Sequence, residues 1–125
     1  MIRVKPSEFE AMVWEAIDEL PESIRAQIQN LAIEVKARPS AQDLREAEVD
    51  DPRDLFGFYR GVPLTERDTH YDMALPDVIT IYRYAHEVAC NTLEELREEV
   101  RRTVRHELAH HFGIDDDRLD ELGAY

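Results

Sequence analysis

Thr92-Leu93-Glu94-Glu95-Leu96-Arg97-Glu98-Glu99-Val100-Arg101-Arg102-Thr103-Val104-Arg105-His106-Glu107-Leu108-Ala109-His110-His111-Phe112-Gly113 reads as one long helix. Thr92 and Glu95 have capping-box spacing at its start. Leu93, Leu96, Val100, Val104, Leu108 and Phe112 form an apolar stripe, which gives the helix one face to bury. Gly113 is a natural stop, because glycine tolerates the left-handed conformation that ends many helices. At ~100° per residue, His106 and His110 fall well over a quarter-turn from the centre of the stripe. They lie four residues apart on one face, a spacing at which two imidazoles can share a tetrahedral cation.

Glu107 stands beside the first of these histidines. In zinc sites built this way the ion brings the pKa of its water to roughly 7, and such a carboxylate can take that water's proton. The pattern His-Glu-x-x-His therefore offers two ligands and a base. A run of acids, Asp115, Asp116 and Asp117, follows closely enough to supply a third ligand. Two other readings stand beside this one. Arg101, Arg102 and Arg105 would suit a solvated helix face with no metal, and the same histidines could hold a metal that serves folding or partner recognition. His111 sits beside the apolar stripe and points away from the pair, which suits a structural or supporting role. His70 and His86 fall in or near loops and read as solvated.

Working outward, Phe9, Met12, Val13, Ala16, Ile17 and Leu20 recur at helical spacing after a Ser7/Glu10 capping pattern. Trp14 on that helix reads as core. A shorter helix is expected from Pro21 to about Gln29. Leu31, Ile33 and Val35 alternate with polar neighbours as in a half-buried strand. Arg38 to Asp54 reads as a polar surface loop with room for a helical turn. Leu55 to Arg60 reads as a short strand, and Thr65 to Pro76 as loop. Val78 to Arg83 is the strongest strand, β-branched on both faces. A final short helix is expected between Asp115 and Leu122. The order α-α-β-β-β-α predicts an α+β fold, with helices packed on a short mixed sheet of about three strands and the histidine-bearing helix near the C-terminus.

The 125 residues suit a single domain, 1–125. With 43% hydrophobic and 34% charged residues, the chain has enough apolar material for a core. A formal net charge of -13 disfavours nucleic acid and anionic membrane surfaces as partners. The lone cysteine, Cys90, rules out a disulfide framework or thiolate zinc knuckle within one chain, so a metal must be held by His and carboxylate. No apolar signal core or span of ~20 residues appears, and a cytoplasmic protein is expected.

The segment His106-Glu107-Leu108-Ala109-His110-His111-Phe112-Gly113-Ile114-Asp115-Asp116 resembles the long zincin signature H-E-x-x-H-x-x-G-x-x-H/D. It is similar to that of a small bacterial zincin-like metallopeptidase family. Similarity extends to Leu20-Pro21-Glu22, to Gly57-Phe58-Tyr59-Arg60-Gly61-Val62-Pro63-Leu64-Thr65-Glu66-Arg67 and to the Val78 to Arg83 strand. The resemblance implies His106, His110 and Asp116 as zinc ligands, Glu107 as general base, and Gly113 as the turn that brings Asp116 back to the metal. The implied activity is hydrolysis of a peptide or protein substrate. The alternative remains a metal-stabilised, non-catalytic module on the same scaffold. Val78 to Arg83 is the candidate edge for pairing with extended substrate, against the plainer reading of a central core strand. Tyr82, Arg83 and Tyr84 are open candidates for stabilising an oxyanion.

Overall fold

A computed structural model describes residues 1–28, 30–63, 65 and 76–121, without the side chains of Asp116 and Asp120. His70 and most of the expected Thr65 to Pro76 loop lie outside the described residues. In chain order the elements are α1 (Pro6–Asp18), α2 (Glu22–Arg25), β1 (Leu31–Lys36), α3 (Ala41–Ala47), a 3-10 turn (Pro52–Asp54), β2 (Gly57–Arg60), β3 (Asp77–Tyr82), α4 (Arg83–Ala89), α5 (Leu93–Phe112) and α6 (Asp116–Glu121). Among the described residues this is an α+β arrangement of six helices on a three-strand mixed sheet, with the long helix near the C-terminus, as expected. None of those helices is long and apolar enough to cross a membrane.

The sheet order is β1-β3-β2. β3 pairs in parallel with β1, Leu31 opposite Asp77 and Lys36 opposite Tyr82, and antiparallel with β2, Gly57 opposite Ile81 and Arg60 opposite Val78. A strand apolar on both faces belongs in the middle of a sheet, where helices or other layers cover it. β3 accordingly has a partner on each side, which removes it as the substrate-pairing edge; among the described residues β2 holds an edge position instead.

One face of the sheet carries the core. Phe9, Val13 and Ala16 of α1 meet Leu96, Val100, Val104 and Leu108 of α5, together with Ile79 and Ile81 of β3 and Leu119 of α6. Each large side chain buried here contributes about 1.5–3 kcal/mol. Leu96, Val100, Val104 and Leu108 of the stripe read along α5 are buried, Phe112 is half-buried and Leu93, in the first turn, is exposed; His106 and His110 are left on the exposed side.

Several local expectations need correction. Trp14 is 44% exposed, because it falls outside the face of α1 that meets α5. α1 begins at Pro6 with no side-chain cap, so the Ser7 pattern is not used, and α2 has only four residues. The stretch read as a loop contains α3, closed by a capping box in which Ser40 and Asp43 exchange hydrogen bonds of 3.0 and 3.1 Å. Asp43 also accepts from Lys36, Arg60 and the Tyr82 hydroxyl. Burial opposes its charge, yet the Ser40 N–H, Lys36 and Tyr82 hold the carboxyl well below the usual range. α4 follows β3 directly, where only the end of a strand was read.

Candidate metal centre and active site

α5 sets the geometry. Thr92 caps it by accepting from the Glu95 N–H at 3.1 Å, and Gly113 ends it at φ 74°, the left-handed conformation a side chain would resist. Its 20 residues place His106 and His110 one turn apart on the exposed face, ring centroids 4.7 Å from each other. Both sit toward the C-terminal end of the helix, whose partial negative charge favours a cation. Glu107 points inward from between them and is only 5% exposed; its Oε1 lies 3.9 Å from His110 Nδ1.

Gly57 explains how Glu107 is covered. At the start of β2 it lies so close to α5 that a Cβ there would stand 2.7 Å from Thr103 Cγ2 and 3.1 Å from Glu107 Cγ. The absent side chain lets the edge strand seat its backbone against the carboxylate. A cleft of about 290 Å³ opens beside it, lined by Asp54, Leu55, Phe56, Thr103, His106 and Glu107 among others. A second opening, about 530 Å³, has His106, His110, Ile114, Asp115 and Asp117 on its wall. His106 lines both and stands at their junction.

Two buried hydrogen-bond systems hold the elements around this point. Asp77, at the first position of β3, accepts from the Tyr59 hydroxyl of β2 and from His111 Nδ1 of α5 at 2.9 Å. Three elements are thereby tied through one fully buried carboxylate, and the Tyr59 ring is set edge-on to His110 at 6.2 Å. Elsewhere His86 of α4 is wholly buried, its Nδ1 2.7 Å from the Tyr82 carbonyl and its Nε2 2.9 Å from the Thr103 hydroxyl. A carbonyl only accepts, so Nδ1 carries the proton of the neutral ring, and the single proton of the Thr103 hydroxyl is shared between Nε2 and the Glu99 carbonyl, 3.0 Å away. Burial drops the His86 pKa to about 4. The solvated-loop reading of His86 is therefore wrong: α4 brings it against Thr103, and so behind the wall of the smaller cleft.

The donor chemistry suits a metal. Two imidazoles on one exposed face, with Asp115 and Asp117 on the wall of the same opening, form the nitrogen-and-carboxylate set taken by zinc. Asp115 Oδ1 also accepts the Arg118 N–H at 2.8 Å, so this carboxylate caps α6. Among the described residues no three His, Cys, Asp or Glu groups converge on a metal-sized point. The Asp116 side chain lies outside that description, while its backbone opens α6.

A family model for zincin-like metallopeptidases matches residues 28–124. The chain belongs to the zincin-like metallopeptidase family. No curated protein matches it. Membership in this family implies a metal ion, and the pair His106 and His110 with Glu107 occupies the matched region.

Within this zincin-like chain the oxyanion candidates are not at the site. The Tyr82 hydroxyl is engaged by Asp43 at 2.9 Å, and Arg83 and Tyr84 line a different cleft, with Arg3, Arg38 and Glu87. Sequence reasoning also missed Gly57, Tyr59, Asp77 and Thr103. A glycine inside a strand pattern is a signal of close backbone approach, so Gly57 was readable. Asp77 was not, since a lone acid before a strand ordinarily belongs to a turn.

Proposed function

We propose that the protein is a zinc-dependent peptidase in which His106, His110 and Asp116 hold the ion and Glu107 is the general base. The observation that carries this reading is the exposed pair of imidazoles, 4.7 Å apart, with a buried carboxylate between them at the junction of two clefts. When bound, zinc polarises the scissile carbonyl and makes water a nucleophile near neutral pH. Glu107 takes the proton from the attacking water and returns it to the leaving amine. Its shielding by Gly57 keeps solvent from competing for the carboxylate. β2, as the edge strand beside α5, offers its backbone to an extended peptide. The smaller cleft, walled by Leu55, Phe56 and Thr103, would receive one substrate side chain. Residues 1–125 carry this activity as one domain, and the cytoplasm suits a chain whose single cysteine is buried and unpaired.

The test combines elemental analysis with hydrolysis of unfolded casein. The parent should hold near one zinc per chain and cleave. Glu107→Gln should keep the zinc and lose turnover by at least ~100-fold, the usual scale of a general base. His106→Ala with His110→Ala should lose both. Full activity in Glu107→Gln would sink the mechanism, and a parent with bound zinc but no hydrolysis of any peptide offered would favour the metal-stabilised module.

A further inference from the structure

On a chain of net charge -13, one cleft is lined by arginines. It lies where the parallel strands β1 and β3 give way to Ala37-Arg38 and Arg83-Tyr84, with Met1, Arg3, Val4 and Glu87 completing the wall, and has a volume of about 550 Å³. Its frame is tied together: the Tyr84 N–H donates to the Ala37 carbonyl at 2.9 Å, and Ile2 N–H to the Glu87 carbonyl at 3.0 Å.

The guanidinium groups here are less closely paired than most of those elsewhere. Arg25, Arg53, Arg60, Arg101, Arg102 and Arg118 each pair with a carboxylate at 3.3 Å or less. Among the described residues, Arg3 and Arg38 form no ion pair. Arg38 is instead fixed over the Tyr84 ring, 3.9 Å from its centroid, which orders the group and leaves its N–H edge available. Arg83 Nε is shielded from solvent without a hydrogen bond among the described residues; Glu87 Oε1 is 3.5 Å from it. The other oxygen of Glu87 accepts the Val4 N–H at 3.0 Å. The cleft is thus lined by three guanidinium groups and one carboxylate, which is already engaged with Arg83 and the Val4 N–H.

We propose that this cleft binds a small organic dianion, carrying phosphoryl or carboxylate groups, between Arg3, Arg38 and Arg83. Guanidinium groups grip such oxyanions through paired N–H donors, and the volume leaves room for a body larger than the anion itself. The net charge of the whole chain repels anions at a distance, so binding depends on these contacts rather than on long-range attraction.

The test is calorimetric titration of the full chain with sodium phosphate and, separately, sodium succinate, at constant ionic strength in chloride. The parent should bind at least one of them saturably at one site. Arg38→Ala, at an exposed position, and Arg83→Gln should each weaken binding by about tenfold or more, the loss of one charge-assisted hydrogen bond. Arg53→Ala should change nothing. Stronger binding of phosphate assigns a phosphoryl ligand, and stronger binding of succinate a dicarboxylate. No saturable binding of either probe overturns the proposal. So does parental affinity in Arg38→Ala, or binding lost in His106→Ala instead, which would place the anion at a metal on α5.

Discussion

Glu107 depends on an atom that is not there. Because a Cβ on Gly57 would come within 2.7 Å of Thr103 Cγ2 and 3.1 Å of Glu107 Cγ, even alanine must push strand or helix aside. Gly57→Ala is expected to destabilise the fold by about 1–3 kcal/mol, the ordinary range for overpacking, and to lower kcat more than it raises KM. Urea midpoints and casein kinetics check the two parts; an alanine variant with parental values of both would mean that β2 gives way freely. At the other side of the site, Tyr59→Phe removes one donor from Asp77 while His111 keeps its bond. The remaining buried acceptor capacity costs about 1–3 kcal/mol, measurable as a lowered unfolding midpoint.

The elements differ in how far they could be read in advance. α5 was legible because cap, stripe and stop all agree: Thr92, the leucines and valines, and Gly113 each argue for the same helix. Thr92→Ala should cost about 1 kcal/mol in thermal or urea unfolding, the usual weight of an N-cap hydroxyl. β1 and β3 were legible from alternation and β-branching. α3 and α4 were not. In α3 the decisive residue, Asp43, is charged, and its burial follows from Lys36, Arg60 and Tyr82, which only the folded sheet brings together. In α4 seven residues give too short a window for a 3.6-residue period, and His86 looked like a loop residue until Thr103 stood opposite it. Trp14 failed for the opposite reason, since apolar character alone does not say which side of a helix is covered. The pair His106 and His110 was readable because both lie within one element. The Tyr59, Asp77 and His111 support was not, because it joins three elements far apart in the chain.

At the scale of the whole molecule, acid is the expected weakness. The His86 ring titrates near 6.5 when unfolded and at about 4 in the fold, so between those values the unfolded chain holds a proton that the folded chain refuses. Stability is therefore unaffected by this group above about pH 6.5 and falls as pH drops toward 4, by roughly 3 kcal/mol at the limit. Asp43, held below its ordinary 3.8, adds stability above that value that is lost as pH falls further. Urea midpoints measured from pH 8 to pH 4 should decline below about 6.5, with a shallower slope in His86→Gln; equal slopes would refute the assignment. The order of the sheet bears on synthesis as well. β3 is the middle strand yet the last of the three to be made, so β1 and β2 leave the ribosome before the strand that joins them exists. α5 emerges later still. A nascent chain stopped short of residue 77 therefore holds β1 and β2 without the strand that each of them pairs with in the finished sheet, and exposed edges of that kind invite pairing with other chains.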